Sequence, residues 1–354
     1  MRYGIAGASG TLGRVVVQRL LGADPDAEVV GLVRRPDAAL AETDRCTLIT
    51  GGVFDREAVR EFVAGTDVVV NLAARNPVDP ARDAAGAADF FAINALGAAL
   101  LATACSTAAR PLLHFSSVAV YEAGAAGGPE PAREDDPLPR LNAAADRFYA
   151  DLIESTSEIA QHPRRASDLE RFREAYDTAA FPDDAPFYAL SKLMGESLTV
   201  ALAPGASAIR MSDVYGPGHE SRGVVTDHLA ALAAQREVVV DFDFRATACF
   251  VYIDDVVRLT LNLAERLATG TALPQVVNFC GAPLDEAGFA DELRQLALRL
   301  GLQREFRVAP AAGAKADRRY ATALFEQLLP DFSATSFGDG LLATWQSGAY
   351  RAAD

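Results

Sequence analysis

Cysteine, lysine and positive charge are all scarce in this chain. Its 354 residues include four cysteines, Cys46, Cys105, Cys249 and Cys280, far apart, with no CxxC pair and no histidine cluster beside them. That excludes a disulfide scaffold and leaves no ligand spacing for a metal, so four free thiols in a reducing compartment are expected. The 33 basic residues face 48 acidic ones, a net charge of −15. A broad basic face for nucleic acid is thereby excluded, although a local basic pocket is not. Lys192 and Lys315 are the only lysines. No apolar run approaches the roughly 20 residues that cross a bilayer, and MRYGIAGASG has no basic segment leading into an apolar one. These absences lead us to expect a cytoplasmic protein that binds neither nucleic acid nor membrane and takes a small-molecule substrate. What is present, 50% hydrophobic and 23% charged residues, suffices for one large or two ordinary domains.

The first half alternates short β-rich runs with helical stretches, the pattern of a parallel sheet covered on both faces. Strands are expected at Arg2–Ala6, Glu28–Val33, Thr47–Ile49, Asp67–Ala73 and Leu112–Ser116, with helices at Thr11–Leu21, Arg56–Ala64 and Ala87–Ala108 between them. Val68 to Leu72 is apolar but for Asn71, as suits a strand buried on both sides. Further on, strands are expected at Ala208–Val214, Phe250–Ile253 and Val276–Phe279, with helices near Asp285–Gly301 and Leu341–Gly348. The fold class is α/β: a doubly wound parallel sheet over 1–205 and a smaller C-terminal α/β domain over 206–354, some of whose segments return to the first sheet. Residues 142–180 fall outside a minimal version of this plan and read as an inserted pair of amphipathic helices. Phe148, Leu152, Ile153 and Ile159 share a face in the first; Leu169, Phe172 and Tyr176 do so in the second, which Ser167 and Glu170 can open as a capping box. The pair reads either as packed decoration or oligomer contact, or as a lid.

Three motifs carry chemistry. Gly7-Ala-Ser9-Gly10-Thr11-Leu12-Gly13 follows the first strand and opens the first helix. Glycines there permit a tight turn and close backbone approach to a pyrophosphate, while the helix N-terminus offers unpaired N–H groups to the anion. At the end of the second strand, where an acidic residue would take a ribose 2′-hydroxyl and a basic one a 2′-phosphate, the chain has Arg34 and Arg35, with no acid before Asp37. NADP is favoured, with NAD as the alternative. Tyr188-Ala-Leu-Ser-Lys192 puts a phenol and an ammonium on one helical face, and the ammonium stabilises phenolate so that tyrosine can act as acid and base. In a chain whose usual cation is arginine, a lysine at this place suggests that a compact, tunable ammonium is needed. Finally, Phe115-Ser116-Ser117-Val-Ala-Val-Tyr121 ends an expected buried strand, at the edge where open α/β sheets bind ligands. A serine hydroxyl there can orient a reacting carbonyl.

Together with Asn71-Leu72-Ala73-Ala74, Asn94, Val214-Tyr-Gly-Pro217 and Phe250-Val-Tyr-Ile-Asp-Asp255, these motifs resemble the extended short-chain dehydrogenase/reductase family, in its NAD-dependent epimerase/dehydratase branch. The resemblance implies a Rossmann domain, a substrate domain and a Ser117, Tyr188, Lys192 triad; Ser117 is chosen over Ser116 because it lies four residues before Tyr121. It also implies a dinucleotide lined by Gly7, Ser9, Gly10, Thr11, Leu12, Gly13, Val53, Leu72, Ala73, Ala74, Asn94, Tyr188 and Lys192. A homodimer through helices such as Ala87–Ala108 and the one carrying Tyr188 is implied as well. The implied activity is oxidation or reduction of a carbonyl or secondary alcohol, of a sugar or nucleotide sugar. The alternatives are an epimerase that retains its cofactor and a reductase of non-sugar carbonyls. The chain departs from the family pattern at several places. Val118 and Ala119 replace the acidic pair of the dehydratases, Ala248 stands where an arginine usually holds a diphosphate, and Asp213 replaces an asparagine. Arg222 and Arg245 are candidates to compensate. Tyr188 lies 71 positions after Ser117, a gap lengthened by the helical insert.

Overall fold

The computed structural model describes residues 1–351, apart from 42, 78–85, 124–129, 137–141, 165, 183–185, 220–222, 243–245, 311–316, 318 and 349. The chain divides into two compact units. The first is Met1–Ala125, Pro137–Arg210 and Leu259–Val277; the second is Ala126–Asp136, Met211–Arg258 and Asn278–Asp354.

In the first unit, β1 (Arg2–Ala6), β2 (Glu28–Val33), β3 (Cys46–Thr50), β4 (Val68–Asn71) and β5 (Leu112–Ser117) alternate with α1 (Thr11–Ala23), α2 (Arg56–Ala64) and α3 (Ala87–Thr107). With β6 (Ser207–Met211) and a later strand, β10 (Val276–Phe279), they build a seven-stranded sheet of order β10-β6-β5-β4-β1-β2-β3. The pairs from β3 through β5 are parallel, with Tyr3 opposite both Val29 and Val68. Strand order reverses between the paired β1 and β4, so the connections leaving them diverge at the switch point where such sheets hold ligands. Continuous Val and Leu runs form these strands because both faces are covered; Val68, Val69 and Val70 have no exposed surface.

The inserted helices form as expected: α4 (Ala143–Gln161) and α5 (Asp168–Ala179), followed by α6 (Phe187–Leu202). Asn142 and Ser167 cap α4 and α5, the Ser167 Oγ accepting from the Glu170 N–H. α3 corrects one expectation. By length and composition it is apolar enough to cross a membrane, yet it is mostly buried. One side of it (Leu101, Ala102, Cys105) packs with Phe62 and Val63 of α2 and with Val69 and Leu112 of the sheet. The other side (Phe91, Ala95, Leu96, Ala99) packs with α4, α5 and α6. That second side of α3 is covered by the inserted helices.

In the second unit, β7 (Asp213–Tyr215) pairs in parallel with β9 (Thr247–Tyr252), which pairs antiparallel with β11 (Pro283–Asp285). A separate parallel pair joins β8 (Glu237–Val240) to β12 (Glu305–Val308). Phe242, Phe250 and Phe289 lie in one core with α7 (Val224–Ala234), α9 (Glu286–Arg299) and α11 (Phe337–Ser347). The helix α8 (Ile253–Ala268) follows β9 along the chain, and α10 (Ala323–Leu328) follows β12. The single strand expected at Ala208–Val214 is two strands in two sheets, broken at Ser212, whose N–H donates to the Phe279 carbonyl. Segment 126–136 groups with this unit rather than the first. Glu134 accepts from the Asn278 N–H, and the Asn278 side chain donates to the Ala132 carbonyl.

Candidate functional site

The turn between β1 and α1 is a cradle with room for backbone only. Gly7 has φ of +82°, and a Cβ on it would lie 2.9 Å from the Ala73 backbone. A Cβ on Gly13 would lie 2.1 Å from the Gly7 carbonyl oxygen. Gly10 N–H donates to Gly7 O, and Arg14 N–H to Gly10 O, which sets the first turn of α1. That helix starts at Gly10 with no capping side chain and no acidic residue in its first turn, so its N–H groups and dipole are left to an anion. Ser9 and Leu12 are half-buried there, and Thr11 is exposed. These features fit the pyrophosphate of a dinucleotide.

At the end of β2, Arg34 and Arg35 are exposed. Asp37 is committed elsewhere: it is buried, accepts from Arg14 Nε at 2.9 Å and Nη2 at 2.7 Å, and caps the helical turn at Leu40 N–H. The first acid after β2 thus has its oxygens occupied, while the two arginines are exposed.

Beyond β4 the strip Leu72-Ala73-Ala74 is set by three bonds. Leu72 N–H donates to Ala6 O, Ala73 N–H to Asn71 Oδ1, and Arg75 N–H to Asn94 Oδ1 at 2.8 Å. Asn94 lies on a π-helical turn, Ala92–Gly97, within α3. Its amide also donates to Arg75 O and Ser191 Oγ. It therefore fixes the strip and ties it to α6 through groups already bonded within the protein. Val53 packs against the same turn, since a Cβ on Gly97 would meet its Cγ2 at 2.5 Å.

Tyr188 and Lys192 stand one turn apart on α6. Lys192 is buried, and its Nζ donates to Phe115 O at 2.7 Å on β5. Burial pushes its ammonium down to about 8, with Glu196 opposing. The Tyr188 hydroxyl donates to Asn76 Oδ1 at 3.2 Å. Ser117, the last residue of β5, accepts from Ala119 N–H, whereas Ser116 is buried with no partner for its hydroxyl. His114 on the same strand is neutral, burial and Lys192 holding its imidazole down at about 3. Its Nδ1 lies 3.0 Å from the Asn71 amide nitrogen; that nitrogen can only donate, so the ring proton is on Nε2.

Sequence reasoning did not reach the parts that hold α6 in place. Gly195 lets α6 approach α3 so closely that a Cβ would be 2.0 Å from Asn94 O. Glu196 forms a buried pair with Arg210, Nη2 to Oε1 at 2.6 Å, and Arg210 also donates to the Tyr121 hydroxyl. A glycine in mid-helix is a legible sign of close approach; the Glu196–Arg210 pair carries no local sign. On β9 and β7, Ala248 is buried and Asp213 exposed, while Arg222 and Arg245 lie outside the described residues. Among the described residues no group of three or more acidic, histidine or cysteine side chains is placed to hold a metal.

The model of the NAD dependent epimerase/dehydratase family matches residues 4–153 and 152–280. A dTDP-4-dehydrorhamnose reductase from Mycolicibacterium smegmatis is 30% identical over 68% of this chain and 54% of its own length. A dTDP-glucose 4,6-dehydratase from Streptomyces niveus is 27% identical over 55% and 53%. The chain thus spans about half the length of the curated relatives it matches. Among solved structures, the NDP-hexosamine 5,6-dehydratase TunA aligns over 98% of this chain and 97% of its own, at 22% identity and a TM-score of 0.69. The UDP-glucuronic acid 4-epimerase of Bacillus cereus, solved with UDP-glucuronic acid and NAD, aligns over 98% of both chains at 18% identity and a TM-score of 0.68. Fold, switch-point turn and family match agree, and the chain belongs to the NAD dependent epimerase/dehydratase family.

Proposed function

We propose that this protein is an oxidoreductase that uses NADP(H) to reduce or oxidise a carbonyl or secondary alcohol on the sugar of a nucleotide sugar. The observation that carries the reading is the Tyr188–Lys192 pair on α6, with the Lys192 ammonium buried and bonded to the strand that ends in Ser117. When bound, the dinucleotide supplies the hydride acceptor or donor. Tyr188 holds the proton: its Oη gives it to the substrate oxygen in reduction and takes it back in oxidation. Lys192, while charged, favours the phenolate and so brings Tyr188 toward the working pH. Ser117 orients the carbonyl by hydrogen bonding.

The open Arg34 and Arg35, beside an Asp37 already engaged, support NADP over NAD. The sugar-nucleotide class is supported by what the relatives' names state; Ala248 and Asp213 set this chain's own diphosphate contacts apart from the family pattern. The four free thiols support a reducing, cytoplasmic setting, and burial pushes that of Cys105 up to about 12.

The test pairs Tyr188→Phe with a panel of 4-keto and 4-hydroxy sugar nucleotides, followed at 340 nm. We expect turnover to fall at least about 100-fold and NADPH affinity to stay within a few-fold. Unchanged turnover in the variant removes the role assigned to Tyr188. Product formed by the wild type with no net absorbance change redirects the reading to an epimerase that keeps its cofactor.

A further inference from the structure

We infer that Asn76 is a positioning residue for Tyr188, one that aims the phenol and favours its protonated form, so that the free enzyme is set to give a proton rather than take one. The inference rests on the role proposed above for Tyr188. The Tyr188 hydroxyl donates to Asn76 Oδ1 at 3.2 Å, while Ser117 Oγ is engaged with the Ala119 N–H. Both ends of the Tyr188–Asn76 contact are held by a single amide, that of Asn94. Its Oδ1 accepts from Arg75 N–H at 2.8 Å and its Nδ2 donates to Arg75 O at 3.1 Å, which pins the peptide leading into Asn76. The same Nδ2 donates to Ser191 Oγ, and the Ser191 hydroxyl donates to the Tyr188 carbonyl at 2.8 Å. The circuit through Asn94, Arg75, Asn76, Tyr188 and Ser191 therefore closes on itself within one compact unit. Asn94 and Ser191 are buried and Asn76 is exposed, so the ring is fixed at its base and open at the phenol.

An amide oxygen only accepts, so this contact lasts only while Tyr188 keeps its proton, and it stabilises the phenol over the phenolate. Lys192, on the same helix, acts in the opposite sense. From α3, the buried Phe90 meets the Tyr188 ring edge-on at 6.2 Å between centroids. Arg75 lies over Phe90, 4.5 Å from its centroid, with its guanidinium paired to Asp89, and His114 on β5 is neutral. The charge of Arg75 is thus partly cancelled beside the phenol, which leaves Lys192 and the Asn76 oxygen as the opposed influences. At 3.2 Å the bond is long for a hydroxyl donor, so a substrate carbonyl oxygen can take its place. In reduction the proton then passes from Oη to that oxygen, and Asn76 neither gains nor loses one.

The test is a tyrosinate absorbance titration of the cofactor-free protein as wild type, Asn76→Ala and Asn76→Asp. Tyr188→Phe in each background is the blank that isolates one phenol among nine. Asn76 is exposed, so both variants are expected to fold. We expect the Tyr188 midpoint to fall by about 0.5–1 pH unit in Asn76→Ala, the weight of one net hydrogen bond. In Asn76→Asp, which keeps the acceptor and adds a negative charge, it should rise by about 1 unit. The pH–rate profile for oxidation, which needs the phenolate, should move by the same amounts. A midpoint in Asn76→Ala that stays put or rises overturns the inference, whatever Tyr188→Phe does to turnover. A midpoint that moves as expected while the profile stays put leaves the hold of Asn76 on the phenol standing and removes instead the role given to Tyr188.

Discussion

Lys192 is held where its charge is uncomfortable. Its ammonium titrates at about 8 instead of 10.5 because it is buried. In the proposed mechanism the charge it carries below pH 8 favours the Tyr188 phenolate, and that help is lost as pH rises through 8. Turnover in the reductive direction, which also needs a protonated phenol, is expected to fall as pH rises past about 8, and a pH–rate profile reads this directly. The folded state binds this proton less well than the unfolded one, so the group's contribution to stability improves as pH rises from 8 toward 10.5. At pH 7 the buried charge costs roughly 3 kcal/mol, offset in part by about 1 kcal/mol from its bond to Phe115 O. Lys192→Met should therefore abolish turnover and raise the melting temperature; a clear fall in Tm contradicts the assignment of burial as the cause. The Tyr-x-x-x-Lys spacing was legible because lysine is so scarce here. The pair beneath it was not: Glu196 and Arg210 lie 14 positions apart on different elements, and only the packing of α6 against β6 brings them together. Arg210→Met leaves Glu196 buried without its guanidinium partner, and should destabilise the protein by about 3–5 kcal/mol in chemical denaturation. A loss below about 1 kcal/mol would mean that Glu196 finds another partner.

Helix α6 depends on one glycine. A methyl group at Gly195 meets the Asn94 carbonyl, which belongs to the π-helical turn and is not free to move aside. Gly195→Ala should cost about 1–3 kcal/mol and reduce turnover more than NADPH affinity, because it shifts α6 while leaving the Gly7–Gly13 cradle alone. Equal losses in binding and turnover would show that the two elements are not separable in this way. Most elements could be read from periodicity, including both inserted helices, whose caps Asn142 and Ser167 form as their residue types suggest. The split of β6 from β7 could not, since Ala208–Val214 is β-like throughout and the two strands join different sheets whose other strands lie far along the chain. The apolarity of α3 was equally opaque. A helix buried on two sides by its own chain has the composition of a membrane span.

For the whole molecule, the family and the doubly wound sheet were legible because the glycine turn, the strand ends and the Tyr188 helix come in a fixed order along the chain. The division into units was less so. Segment 126–136 crosses to the second unit through Glu134 and Ala132, which meet Asn278, a pairing with no local signal. The central claim is that the open arginines after β2 and the bare glycine cradle after β1 make a site for NADP(H). Its most direct test is a calorimetric titration of the cofactor-stripped protein with NADPH and NADH, repeated on Arg34→Ala/Arg35→Ala. The account predicts NADPH tighter than NADH by at least about tenfold, a gap of about 1.4 kcal/mol, which the double variant erases without weakening NADH. NADH bound as tightly as NADPH, or a gap that survives loss of both arginines, would contradict it.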